Sequence, residues 1–145
     1  MSVENINAIR RLFDEAWGQG KLELIDELCA DSFIDHDPLL GDADREGLKA
    51  RIGVYRAAFP DLEFTIEEVF AAGDRVVARW SGVGTFENEI MGQPPTGKKG
   101  SPVTGTTIDR FEDGKIVETW TQWDTLRLLK NIGAVPEEAA APAVN

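Results

Sequence analysis

Histidine and cysteine are nearly absent from this chain of 145 residues, with His36 and Cys29 the only examples. A lone cysteine has no internal disulfide partner, and a lone histidine cannot supply a multi-histidine metal site. Long hydrophobic runs are missing too, since nothing approaches the ~20 consecutive apolar residues of a membrane span. The first residues, Met1-Ser2-Val3-Glu4-Asn5, show neither the cationic start nor the apolar stretch of a secretory signal, so a cytoplasmic location is expected. Positive charge is scarce. Lys and Arg number 15 against 26 Asp and Glu, a net charge of -11, which repels polyphosphates and argues against a nucleic-acid partner.

What is present suits a globular domain. The chain is 42% hydrophobic with 14 Gly and 7 Pro, and a chain of this size buries about two-thirds of its unfolded surface around one core. The domain is expected to span residues 1–136, followed by a flexible alanine-rich tail over 137–145. Ile6, Ile9, Phe13 and Trp17 recur every three or four residues, predicting an amphipathic helix over 3–17 that stops near Gly18 and Gly20. A shorter helix follows from Leu22 to Cys29, then a strand over Phe33–Pro38. A third helix carries Leu48, Ile52, Tyr55 and Phe59, is capped by Asp42 or Asp44, and ends at Pro60.

From Asp61 the period shortens to two, which marks strands. Leu62–Phe70, Arg75–Phe86, Val103–Phe111 and Lys115–Trp123 are predicted, with Ala72-Gly73-Asp74 and Glu112-Asp113-Gly114 as turns. Between them, Asn88–Pro102 holds six Gly and Pro residues and reads as a mobile flap over a pocket. Leu126, Leu129 and Ile132 form a last short helix. Helices first and meandering strands after predict an α+β fold, a strongly curved antiparallel sheet with the N-terminal helices packed on its concave face. Such curvature leaves a cavity.

This order of elements, with Phe33-Ile34-Asp35-His36-Asp37-Pro38, Gly84-Thr85-Phe86, Pro95-Thr96-Gly97-Lys98 and Asp113-Gly114-Lys115-Ile116-Val117-Glu118-Thr119-Trp120 running into Trp123-Asp124-Thr125-Leu126, resembles the SnoaL-like polyketide cyclases. The resemblance covers roughly residues 5–136 and implies the cone-shaped, cystatin-like barrel of the nuclear transport factor 2-like superfamily. It implies a cofactor-free intramolecular aldol ring closure, with one aspartate as acid and base. The position resembling that aspartate is Asp124, and the Phe-x-x-His-x-Pro context makes His36 resemble the family's pocket histidine.

The residues themselves support a site on the last hairpin. Side-chain alternation puts Ile116, Glu118, Trp120, Gln122 and Asp124 on one face. A two-residue type I′ turn at Asp113-Gly114 sets Asp109 opposite Glu118. A type I turn at Glu112-Asp113 with Gly114 in a left-handed bulge instead pairs Arg110 with Ile116 and moves it onto the Glu118–Asp124 face, near Glu118, and this second register avoids opposing two carboxylates. The expected substrate-binding residues are Trp80, Trp120, Arg110, Gln122, Tyr55 and Phe59, with Asp124 and His36 as catalytic residues. Asp124 also suits an N-cap for the last helix, and His36 also suits a structural strand position. Asp35, His36 and Asp37 are not read as a metal site, because alternate strand residues diverge. No metal or cofactor is expected.

The function expected is proton transfer next to a carbonyl of a hydrophobic or aromatic small molecule. The alternatives are an isomerase-like enzyme, a non-catalytic binding or dimerisation module, and an epoxide hydrolase-like enzyme, for which Arg79-Trp80-Ser81 has serine where an aspartate is needed. Val117, Thr119, Thr121 and Trp123 fall on the opposite, convex face. A row that includes Val and Trp predicts a homodimer through that face.

Overall fold

The computed structural model describes residues 2–138, so most of the expected tail, from residue 139 onward, lies outside the described residues. The first helix, α1 (Ser2–Arg11), continues as a π-helical stretch over Leu12–Trp17, and α2 spans Glu23–Leu28. Their inward stripe, including Ile9, Phe13, Ala16 and Ile25, is buried, as the spacing of apolar residues requires. β1 (Cys29–Asp37) and the short β2 (Gly41–Ala43) lead into α3 (Arg45–Ala58). Asp44 is its N-cap, its carboxylate accepting the Gly47 N–H at 2.8 Å. Then come β3 (Glu63–Ala72), β4 (Arg75–Val83), β5 (Val103–Glu112), β6 (Lys115–Trp123) and α4 (Thr125–Asn131).

The six strands form one sheet in the order β2-β1-β6-β5-β4-β3. Neighbours run antiparallel except β1 and β6, which are parallel, and this corrects the expectation of a wholly antiparallel sheet. The parallel pairing follows from the chain path. The N-terminal helices cross the inner face and deliver β1 to the free side of β6, beside residues more than eighty positions later.

Two bulges help curve the sheet. Glu67 is an extra residue between the pairs Ile66–Trp80 and Glu68–Arg79, and Val117 is extra between Phe111–Ile116 and Arg110–Glu118. Glycines admit aromatic rings against the inner backbone. A Cβ at Gly105 would lie 2.3 Å from the Trp80 ring, and one at Gly82 2.7 Å from the Phe64 ring. The residues over 88–102 are largely irregular, as expected, but they are held down. Ile90 is buried with Phe86 and Leu128, and the Asn131 side-chain amide bonds both the N–H and the carbonyl of Ser101.

Candidate active site

Alternation along the curved strands divides the sheet into two chemically different faces. Inward go Phe33, Asp35 and Asp37 on β1, Thr107, Asp109 and Phe111 on β5, and Thr119, Thr121 and Trp123 on β6. Between this face and the helices lies a cavity of about 150 Å³, partly open to solvent. Its walls are aromatic: Trp17, Tyr55, Phe59, Phe64, Trp80 and Trp123. Tyr55 on α3 sits between Trp17 and Trp123, with ring centroids 6.0 and 6.5 Å away. Its hydroxyl is buried without a hydrogen-bond partner, and burial raises its pKa, so it stays a protonated donor at neutral pH.

The polar part of the cavity spans three adjacent strands. Asp35 pairs in register with Thr119, which pairs with Asp109, so the two carboxylates flank one threonine. The Thr119 hydroxyl donates to Asp109 Oδ1 at 2.6 Å, while Asp109 Oδ2 has no partner. Asp109 has no exposed surface. Burial pushes its pKa up to about 7 against the effect of the Thr119 bond, and the charge of Asp35 adds to the rise. Asp35 is pushed up to about 6, by burial first and by Asp37 second, with Arg51 opposing. Its Oδ2 lies 3.6 Å from Arg51 Nη1, and its Oδ1 is unpartnered.

Other polar groups hold the aromatic walls. Asp37 accepts the N–H groups of Leu39 and Leu40 through one oxygen and Trp123 Nε1, at 3.0 Å, through the other. The Trp80 indole donates to Thr107 at 2.9 Å. Among the described residues no three His, Cys, Asp or Glu side chains converge as a metal-ligand set.

Of the residues nominated from sequence, Trp80, Tyr55 and Phe59 line this cavity. The other five do not, and for Trp120 and Gln122 the reason is the Val117 bulge. The turn is the two-residue form, with Asp113 and Gly114 at φ of 50° and 76°, and Glu112 pairs with Lys115. Ile116 therefore faces inward beside Phe111, but the extra Val117 reverses the alternation. Glu118, Trp120 and Gln122 consequently face outward, and Thr119, Thr121 and Trp123 face the cavity. The two sets assigned from sequence are exchanged. Arg110 does stand opposite Glu118, at 3.2 Å, but on the outer face.

His36 is also outside, hydrogen-bonded through Nδ1 to Asp42 at 2.8 Å and through Nε2 to Glu118 at 2.7 Å, and stacked on Trp120. Those two carboxylates, Glu118 foremost, raise its pKa and favour the imidazolium. Asp124 is exposed and caps α4, accepting the Arg127 N–H at 3.0 Å. With Gln122, Arg79 and Thr104 it borders a shallow groove on the outer side of the sheet.

Sequence reasoning missed Asp35, Asp109 and the threonine between them, Thr119. Parity signalled them, because Asp35 and Asp37 share the phase of Phe33, and Asp109 that of Phe111.

The profile of a family described as SnoaL-like polyketide cyclase matches residues 7–132. The chain belongs to the SnoaL-like polyketide cyclase family. Solved structures agree. A protein from Jannaschia Sp. CCS1 classed as a SnoaL-like polyketide cyclase is 28% identical with a TM-score of 0.82, over 93% of this chain and 95% of that one. IdmH from Streptomyces antibioticus, classed as a polyketide cyclase, is 33% identical with a TM-score of 0.76, over 89% and 98%. AclR from Streptomyces galilaeus, classed as a hydroxylase, is 25% identical with a TM-score of 0.83, over 93% and 84%. A search of curated proteins gives no match. The fold of this family member is the ketosteroid isomerase-like, nuclear transport factor 2-like cone.

The buried carboxylate makes the stability of this SnoaL-like protein depend on pH. A folded pKa of about 7 against an ordinary value of 3.8 means that the native state holds a proton the unfolded chain releases between those values. Stability therefore falls as pH rises through that window, and the raised pKa of His36 acts in the same direction. Asp109→Asn keeps an acceptor for Thr119 and removes the penalty. Its gain over the parent should grow above pH 4 and level off above pH 7 at roughly 2–4 kcal/mol, read by urea unfolding. No gain at pH 8 would show that Asp109 is not held neutral.

Proposed function

We propose that the protein is a cofactor-independent enzyme that moves a proton on the carbon next to a carbonyl of a small molecule and closes a ring by intramolecular aldol addition. The observation that carries this reading is Asp109, a buried carboxylate with one oxygen held by Thr119, the other free, and a pKa matched to neutral pH. Its carboxylate takes the proton from the activated carbon. The enolate so formed attacks a second carbonyl carbon of the same molecule, and the resulting alkoxide receives the proton back. The Tyr55 hydroxyl serves as donor to the enolate oxygen, and the dry aromatic walls strengthen that bond while imposing the folded shape that ring closure needs. The family and its cyclase relatives support a small-molecule carbonyl substrate.

The epoxide hydrolase alternative has no support here, because Arg79 faces outward and pairs with Glu68. Hydrogen–deuterium exchange at the α-carbon of an aryl ketone such as tetralone, followed by NMR, tests the proton-transfer step without the natural substrate. Asp109→Asn should slow enzyme-dependent exchange by ~10²-fold or more, whereas Asp124→Asn, which still caps α4, should retain it. The opposite ranking would return the role to Asp124.

Pairing of two copies through the convex face also belongs to this reading. The apolar row there consists of Phe70, Val77, Ile108 and Trp120 together with Ile34, in place of the residues named from sequence. Phe70 is 50% exposed, an unfavourable position for a phenyl ring unless something covers it. Sedimentation should show a dimer that tightens as salt screens the net charge of -11. Ile108→Asp should dissociate it, and a parent protein that is monomeric at every salt concentration would refute the pairing.

A further inference from the structure

Among the described residues, the charged side chains lining the cavity are all carboxylates: Asp35, Asp37 and Asp109. They are not equivalent. Asp37 has both oxygens occupied as acceptors, by two backbone N–H groups and the Trp123 indole. Asp109 has one oxygen on Thr119 and is the group assigned to proton transfer. Asp35 stands apart because no N–H or O–H donates to it. It is 7% exposed, and its Oδ1 meets no donor. Arg51 approaches only the other oxygen, at 3.6 Å, and its Nη2 is spent on the carbonyls of Leu40 and Asp42. A carboxylate oxygen buried without a donor is costly, and a ligand that brings a donor recovers that cost on binding.

The surroundings narrow what that ligand is. A carboxylate or phosphate would meet three carboxylates with no lining cation to answer it. A neutral flat molecule would fill the aromatic walls yet leave Asp35 Oδ1 unmet. A protonated amine supplies N–H donors to that oxygen and a positive charge for the aromatic walls of the same cavity, where Trp17, Tyr55 and Trp123 form one contiguous cluster. The net charge of -11 draws cations toward the protein as a whole.

We propose that the cavity selects a flat, conjugated small molecule bearing a protonated amine, whose N–H donates to Asp35 Oδ1 while its charge rests against the rings of Trp17, Tyr55 and Trp123. This rests on the reading of the cavity as the substrate site and adds a substrate class to it. Asp35 is then the anchor for the ligand's charge, and Asp109 moves the proton.

Three ligands of one shape and different charge test this by calorimetry at neutral pH: naphthylmethylamine, naphthylmethanol and naphthoate. The amine should bind the parent protein at least ~10-fold more tightly than the alcohol, and naphthoate should not bind. In Asp35→Asn the amine should fall to within about twofold of the alcohol, with the alcohol itself little changed. An alcohol that matches the amine on the parent protein overturns the proposal, and that comparison needs no variant. So does an amine preference that survives Asp35→Asn. Binding is read without turnover, so a failure of the ring-closing reading would show in the exchange assay and leave these affinities as they are.

Discussion

Burial of Asp35 and Asp109 on either side of Thr119 withholds two carboxylates from water, and the surrounding structure answers each in part. Thr119 satisfies one oxygen of Asp109, and Arg51 stands near one oxygen of Asp35. Arg51 is itself steadied by two backbone carbonyls of the segment joining β1 to α3. One oxygen of each carboxylate remains without a donor. A fold selected for stability alone would place threonine or valine at these positions. Half-satisfied carboxylates in an aromatic cavity are the feature on which the proposed chemistry rests.

The outer face of the same strands handles charge in the opposite way. His36 bridges Asp42 and Glu118, Arg110 joins Glu118 to Glu112, and Arg75 lies 5.0 Å over the Trp120 ring. Here nearly every charge has a partner and water is close. The network ties β2, β1, β6 and β5 together across the convex side, beside the apolar row proposed for pairing. The two faces thus differ in kind, with partly unsatisfied carboxylates inside and ion pairs outside.

Much of the fold was legible in the sequence, because helix spacing, strand alternation and the Asp44 cap are local signals. The α+β order, the curved sheet and the pocket follow from them. What was not local was not legible. The parallel β1–β6 pair joins segments far apart in the chain, and no periodicity reports it. The Val117 bulge is a single extra residue inside a regular alternation, yet it exchanges the cavity face of β6 for the outer one and carries Glu118, Trp120 and Gln122 with it. Trp80, Tyr55 and Phe59 were found because they lie on elements whose phase no bulge disturbs. Asp109 was passed over because its phase was read from the hairpin instead of from its own neighbours Thr107 and Phe111.

The account depends on carboxylates of the inner face being held near neutral pKa by burial. Carbon-detected NMR of protein labelled at the aspartate carboxyl groups, followed from pH 3 to 9, measures this directly. Two aspartates, assigned by Asp35→Asn and Asp109→Asn, should titrate at about 6 and about 7. If every aspartate instead titrates within the ordinary range near 4, the inner carboxylates are charged and solvated, and the site does not lie where the geometry of β1, β6 and β5 puts it.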